Sequence, residues 1–272
     1  MTTRTAAALL AALALPALAQ APAPAEGQEG RAPAPDRSLT PDRYLARGLP
    51  SVERPWTPAD YATAQAALAR LAAADPLALP RKDSRASSRV FARMTARDNA
   101  LAARGAPVQE RLQGGADALG SLDAILATYL EADGAGKGGF GAEVVDLAIA
   151  GFAVARSTAS AARELPVPEA GAADRAAFDE GSRGLSEALA SQARALLMML
   201  GDRGRLAPPD RARVAKLLAA ELPMAARDLP PGFLEEAGRL AGEAAAGETS
   251  AAVKGDLARL EAAIRRAGGS PR

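Results

Sequence analysis

A glycine-rich segment followed by two carboxylates is the part of this sequence best suited to binding chemistry. Five of the eight residues from Gly134 to Gly141 are glycine, and Lys137 lies among them. Glu143 and Asp146 follow three residues apart, a spacing that places both on one face of a helix. Free N–H groups at the start of that helix could hold an anion. We therefore take Lys137, Glu143 and Asp146 as candidate ligand-binding residues.

The segment does not meet the requirements of a phosphate-binding P-loop. That motif is G-x-x-x-x-G-K-[ST] between a strand and a helix. Here Glu131 stands at the first glycine position, and Gly138 stands at the Ser/Thr position. The two carboxylates in the first helical turn would also repel an anion. A flexible linker between two helices is the more common interpretation of such glycines.

Asp146 interrupts a strongly apolar stretch, so we expect its side chain to be mostly buried near the loop. It should pair with an arginine or with backbone donors, because an uncompensated buried carboxylate is costly. A structural role at the helix start competes with a role as a functional acid. Calcium binding by carboxylates alone stays open, although no D-x-D-x-D-G loop is present.

The composition excludes several classes of site. The 272 residues contain no His and no Cys. A Ser-His-Asp triad, a thiolate nucleophile, a haem ligated by His and the usual zinc sites are therefore excluded. The net charge of +1 argues against a nucleic-acid-binding protein. We assign no catalytic residue, no metal ligand and no cofactor, and interpret the methionines Met94, Met198, Met199 and Met224 as core residues.

The first 19 residues have the three parts of a secretory signal peptide. A positive start containing Arg4 precedes an uncharged apolar stretch that ends in Ala17-Leu18-Ala19. The stretch is shorter than a membrane span and contains Pro16. Cleavage after Ala19 would deliver a soluble protein to the periplasm or the extracellular space. No later segment is expected to cross a membrane, and residues 20–41 are expected to form a disordered Pro/Ala/Gly-rich linker.

The remaining chain shows helical periodicity and no alternating β pattern. We predict an all-α fold, either one helical bundle or an irregular array of about 6–8 helices, spanning residues 42–267 before a flexible C-terminus at 268–272. Trp56 should anchor the arm that precedes the first long helix. Six helices are predicted at about 57–75, 84–104, 108–132, 142–165, 173–200 and 209–222, and two short ones are predicted around Phe233–Ala241 and Val253–Ile264.

Three classes of function remain compatible with these features. The favoured one is a non-catalytic protein of the cell envelope that acts through a protein or peptide partner. The second is a helical carrier or sensor of a small apolar or anionic ligand, which an internal cavity would support. The third is an enzyme that uses carboxylates without His or Cys on cell-wall glycan, which requires two carboxylates roughly 5–9.5 Å apart across a cleft.

Overall fold

A computed structural model describes residues 39–99, 106–134, 138–167 and 172–268. Its described residues form nine α-helices and no strand, which confirms the all-α prediction. The proposed signal peptide, most of the proposed linker and the last four residues lie outside the described part. The helices are α1 Pro41–Ala46, α2 Pro58–Ala74, α3 Ser88–Met94, α4 Val108–Asp133, α5 Gly141–Ala162, α6 Ala172–Gly201, α7 Pro208–Ala225, α8 Phe233–Ala246 and α9 Ala251–Gly268.

The described residues group into two compact units. The N-terminal unit contains residues 39–106 and 114–154, and the C-terminal unit contains residues 107–113 and 155–268, apart from the gaps given above. The proposed boundaries of a single domain at 42–267 stay a prediction.

Hydrogen bonds between neighbouring residues stabilise the start of α2. Thr57 accepts a hydrogen bond from the N–H of Asp60, and the Asp60 carboxylate accepts one from the N–H of Thr57. This capping box, with Pro58 in the first turn, satisfies donors that a helix start leaves free. A Cβ added to Gly114 of α4 would lie 3.2 Å from Cγ of Pro58, so the glycine permits a close helix approach without a break in α4.

The helix predicted from Ser84 to Arg104 is wrong in its extent over the described residues 84–99, because α3 covers only Ser88–Met94 there, and residues 100–104 lie outside the described part. Just before the start of α3, the hydroxyl of Ser87 accepts a hydrogen bond from the backbone N–H of Arg81, and the helix does not extend further upstream. Beyond its end, the Asn99 side chain donates to the carbonyl oxygens of Arg93 and Met94. Side chains that hydrogen-bond the backbone compete with the helical pattern.

Trp56 anchors the arm that precedes α2, as predicted. Its ring is fully buried and meets the ring of Tyr61 edge-to-face at 5.5 Å, and its Nε1 donates to the carbonyl of Ser51 at 2.9 Å. Edge-to-face pairs add to the gain from burying the rings. Tyr44 and Leu49 of the preceding arm are also buried, whereas Leu45 is exposed.

The C-terminal unit packs α9 on α7 and α8, and α6 on the same two helices. The predicted seam of α6 is buried at Leu189, Leu196 and Leu200, and Gln192 is buried on the same helix. The interpretation of all methionines as core residues is wrong for two of them. Met198 is 64% exposed and Met224 is 59% exposed.

One helix of the described chain is long and apolar enough to cross a membrane. This is α5, which has 22 residues, and 67% of its most apolar stretch is buried within the protein. The expectation that no segment after the N-terminus reaches this length and apolarity is therefore wrong. Core helices pass the same test, and the buried share of α5 is the property of a core helix.

Candidate functional site

The segment Pro80-Arg81-Lys82 holds the described end of the glycine-rich loop. The Arg81 guanidinium donates to the carbonyl oxygens of Gly138 and Gly139 and lies 4.1 Å from the ring centroid of Phe140. Tyr129 of α4 donates its hydroxyl to the carbonyl of Pro80 at 2.7 Å. The loop is therefore tied to residues almost 60 positions earlier in the chain. Lys137 lies outside the described residues.

Close packing explains one glycine of this loop, and backbone conformation explains another. A Cβ on Gly138 would lie 2.5 Å from the carbonyl oxygen of Ala132, and Gly139 has a φ of +66° that disfavours other residues. The carboxylate of Asp133 accepts the N–H of Phe140 at 2.7 Å. The interpretation as a flexible linker therefore does not describe residues 138–140, whose backbone is held by specific hydrogen bonds.

Both candidate carboxylates on α5 contact Lys82. Glu143 is 2% exposed and accepts the backbone N–H of Lys82 at 2.9 Å. The Asp146 side chain is 20% exposed, and its Oδ2 lies 2.8 Å from Nζ of Lys82. Asp146 is thus mostly buried, as expected, and this ion pair is with a lysine. Glu143 and Asp146 therefore connect α5 to the segment 80–82 through these two contacts with Lys82.

Burial raises the pKa of Glu143 above its ordinary value, although the N–H of Lys82 opposes the shift. Such a carboxylate contributes most to stability below its unfolded pKa, and this contribution is lost as the pH rises through its folded pKa. The variant Glu143→Gln keeps an oxygen that accepts the N–H of Lys82. As the pH rises from 4 to 7, we expect the stability of this variant to increase relative to that of the parent. Thermal melts at both pH values measure this. Exposed Glu131→Gln is the control, and an equal effect of both variants would contradict the assignment.

Asn99 makes several buried hydrogen bonds in the N-terminal unit, and sequence analysis missed it. Its oxygen accepts the N–H of Trp56 at 2.9 Å, and its nitrogen donates to the hydroxyl of Tyr61 at 2.8 Å. Burial raises the pKa of Tyr61 to about 12, which keeps its hydroxyl protonated. The available signal was composition, because Asn99 is the only asparagine in the chain.

A cavity of about 90 Å³ lies beside this network, in the same unit. Tyr61, Asn99 and Asp146 line it, together with Arg97 and apolar residues of α5. Its volume is that of a few water molecules. Three of the polar side chains that line it, those of Tyr61, Asn99 and Asp146, are already used in the hydrogen bonds and the ion pair described above.

A larger concavity lies in the C-terminal unit, and we call it the α6 groove. Its volume is about 640 Å³, within the range of ligand sites in proteins. Phe178, Ser182, Leu185 and Ser186 form the α6 side. The rest is formed by the end of α5, the residues that follow it and the loop after α7: Ala159, Ala162, Arg163, Leu165, Val167, Arg227, Asp228, Pro230 and Pro231, with Asp179, Arg183 and Glu187 on the α6 rim.

Charged groups lie at the rim of the α6 groove opposite α6. The Asp228 side chain is only 7% exposed, and its Oδ1 lies 3.4 Å from Nε of Arg163. Burial raises the pKa of Asp228, although Arg163, Arg156 and Arg227 oppose that shift. Arg156 pairs with Glu221 at 2.6 Å, so Arg227 is the arginine of this group without an ion pair inside the described chain. The side of the rim opposite α6 therefore carries one positive charge, that of Arg227, which no ion pair within the described residues balances.

The arrangement defines a class of protein: an all-α chain with an open groove that has an apolar floor and a charged rim. The residues covered by the structure contain no group of three or more Asp or Glu side chains placed to hold a metal ion. Comparison with protein-family models, curated proteins and solved structures finds no match to this chain.

Proposed function

We propose that this chain is an exported, non-catalytic helical protein that binds a protein or peptide partner in the α6 groove. The observation that carries the proposal is the groove itself, because this open concavity of about 640 Å³ is lined by the half-buried ring of Phe178 and by Val167, which is 49% exposed, and so presents apolar surface to solvent. Contiguous apolar surface rimmed by polar residues is typical of interaction sites.

The shape of the α6 side supports a segment of a protein as the occupant. Phe178, Ser182 and Leu185 stand at positions i, i+4 and i+7 of one helix face, which spans about 10 Å along the axis. Helices that bind in grooves place their anchors at the same spacing. Ser182 and Ser186 are small, so a partner backbone can approach α6 between the two larger side chains.

A selection of random peptides tests this proposal. Peptides enriched on the parent protein should lose at least about tenfold in affinity for Ser182→Trp, whose ring fills the groove, since anchors in such a groove supply most of the binding energy. Met198→Trp places the same ring on an exposed position of the same helix and should bind like the parent. Circular dichroism checks that both variants are folded. Failure to enrich any peptide, or equal binding to both variants, would contradict the proposal.

A carrier of a small ligand is the second candidate, and one observation favours it. The volume of the groove matches a drug-sized molecule, and Arg163 and Arg227 could hold an anionic group beside an apolar floor. Native mass spectrometry of protein purified from its natural source would then show a bound small molecule. That adduct should be absent from Ser182→Trp and present in Met198→Trp.

The proposal of export rests on the pattern of residues 1–19 and has its own test. We expect the intact mass of the protein from its native source to correspond to a chain that begins at Gln20. Periplasmic and extracellular fractions, assayed beside a cytosolic marker, separate the two destinations. A mature product that retains Met1 would refute export by cleavage after Ala19.

A further inference from the structure

We infer that the partner segment of the α6 groove is an amphipathic helix whose acidic residues, along one flank, pair with Arg227. The inference rests on the proposed function and adds the chemical class of the partner. It starts from the two walls of the groove, one formed by α6 and the other by the end of α5 and the loop after α7.

The walls suit a third helix. Ala159 and Ala162 of α5 and Ser182 and Ser186 of α6 all line the groove, so both helices contribute short side chains to it. Helices pack at interaxial distances of about 8–10 Å when the side chains between them allow it. Phe178 is half-buried and Val167 is exposed, and a partner helix with leucines at i, i+3, i+4 and i+7 would cover both.

The charges decide which flank of that helix is acidic. On the α6 rim, Asp179 pairs with Arg175 and Arg183 pairs with Glu180, both within the helix. Glu187 adds an exposed negative charge to the same rim. On the other side of the groove, Asp228 forms an ion pair with Arg163. Arg227 is exposed there and adds a positive charge. A partner is therefore attracted when its acidic flank faces Arg227 and its other flank faces α6.

A charge-swap experiment with two synthetic peptides tests the inference. Both are about 15 residues long, or about four helical turns, and carry the same leucine stripe. One has glutamates along one flank and the other has lysines there. We expect the parent protein to bind the glutamate peptide about tenfold more tightly, measured by fluorescence anisotropy.

The variant Arg227→Glu should reverse this preference and bind the lysine peptide more tightly. Arg239→Glu is the matched control, because Arg239 is an exposed arginine of α8 in the same unit and should leave the preference unchanged. Arg227 is used in place of Arg163, since removing Arg163 would leave the buried Asp228 without its ion pair.

The outcomes separate the inference from the proposed function. Equal binding of both peptides, lost in Ser182→Trp, would overturn the acidic partner and leave the groove as a peptide site. Binding of neither peptide, combined with oleate binding that Ser182→Trp abolishes, would overturn both in favour of a carrier. Binding of neither peptide nor oleate would overturn the inference, and the peptide selection would then decide the proposed function.

Discussion

Arg211→Met is expected to lower the free energy of unfolding by about 3–5 kcal/mol, the range for breaking a buried ion pair by removing one partner. Arg211 on α7 and Glu248 before α9 have side chains that are 4% and 0% exposed. Nε and Nη2 of Arg211 donate to both oxygens of Glu248, and Nη1 donates to the carbonyl of Leu206 at 2.6 Å. The substitution leaves a buried carboxylate without its counter-charge.

The effect should depend on pH in a defined direction. Although burial raises the pKa of Glu248, the N–H of Ser250, the guanidinium of Arg211 and the N–H of Thr249 together lower it below its ordinary value. The stability supplied by this carboxylate is therefore present above its unfolded pKa and is lost as the pH falls through its folded pKa. The difference between the parent and Arg211→Met should shrink in acid.

Two further variants make the measurement specific. Arg211→Met with Glu248→Gln should recover much of the loss, because the amide keeps an acceptor for the N–H groups of Thr249 and Ser250 without a charge. Arg239→Met removes an exposed pair on α8 and should cost less than about 1 kcal/mol. Thermal melts followed by circular dichroism read out all three. A loss in Arg211→Met no larger than in Arg239→Met would refute the role of the buried pair.

Asn99→Ala is expected to destabilise the N-terminal unit by about 3 kcal/mol. The substitution removes the side-chain oxygen that accepts the backbone N–H of Trp56. It also removes the side-chain nitrogen that donates to the hydroxyl of Tyr61 and to the carbonyl oxygens of Arg93 and Met94 at the end of α3. Each buried polar group left without a partner costs about 1–3 kcal/mol. Because Trp56 is the only tryptophan and is buried here, urea denaturation followed by its fluorescence reports on this unit.

The control for Asn99→Ala is Thr63→Ala, which removes one exposed hydrogen bond within α2. Its effect should stay within about 0.5 kcal/mol, as for most surface substitutions. Asn99→Asp keeps the oxygen that faces Trp56 and loses the donor, so its stability should be lower than that of the parent. Denaturation midpoints of Asn99→Ala and Thr63→Ala that coincide would contradict the importance of the network.

The helical pattern could be predicted from the sequence wherever local signals determine it. The cap Thr57-Pro58-Ala59-Asp60 places the start of α2, and apolar periodicity places α4 and α6 within a residue or two of their observed ends. The failure at 84–104 has a physical cause. Periodicity does not show that Ser87 and Asn99 hydrogen-bond backbone groups on either side of α3.

The candidate site could be predicted only in part, because its contacts join distant residues. Glu143 and Asp146 do share a helix face, but their partner Lys82 lies more than 60 positions earlier in the chain. No spacing rule connects these residues. The α6 groove was missed for the same reason, since its walls come from three separate segments between residues 159 and 231.

The most direct test of the α6 groove as the partner site uses the absence of cysteine. Ser182→Cys provides a single thiol in the groove, and Met198→Cys provides a single exposed thiol on the same helix. Each variant is labelled with a benzophenone maleimide and irradiated with a peptide from the selection. We expect the Ser182→Cys protein to form a peptide adduct that excess unlabelled peptide abolishes, and the Met198→Cys protein to form little adduct. Equal adduct yields from both positions would contradict binding in the groove.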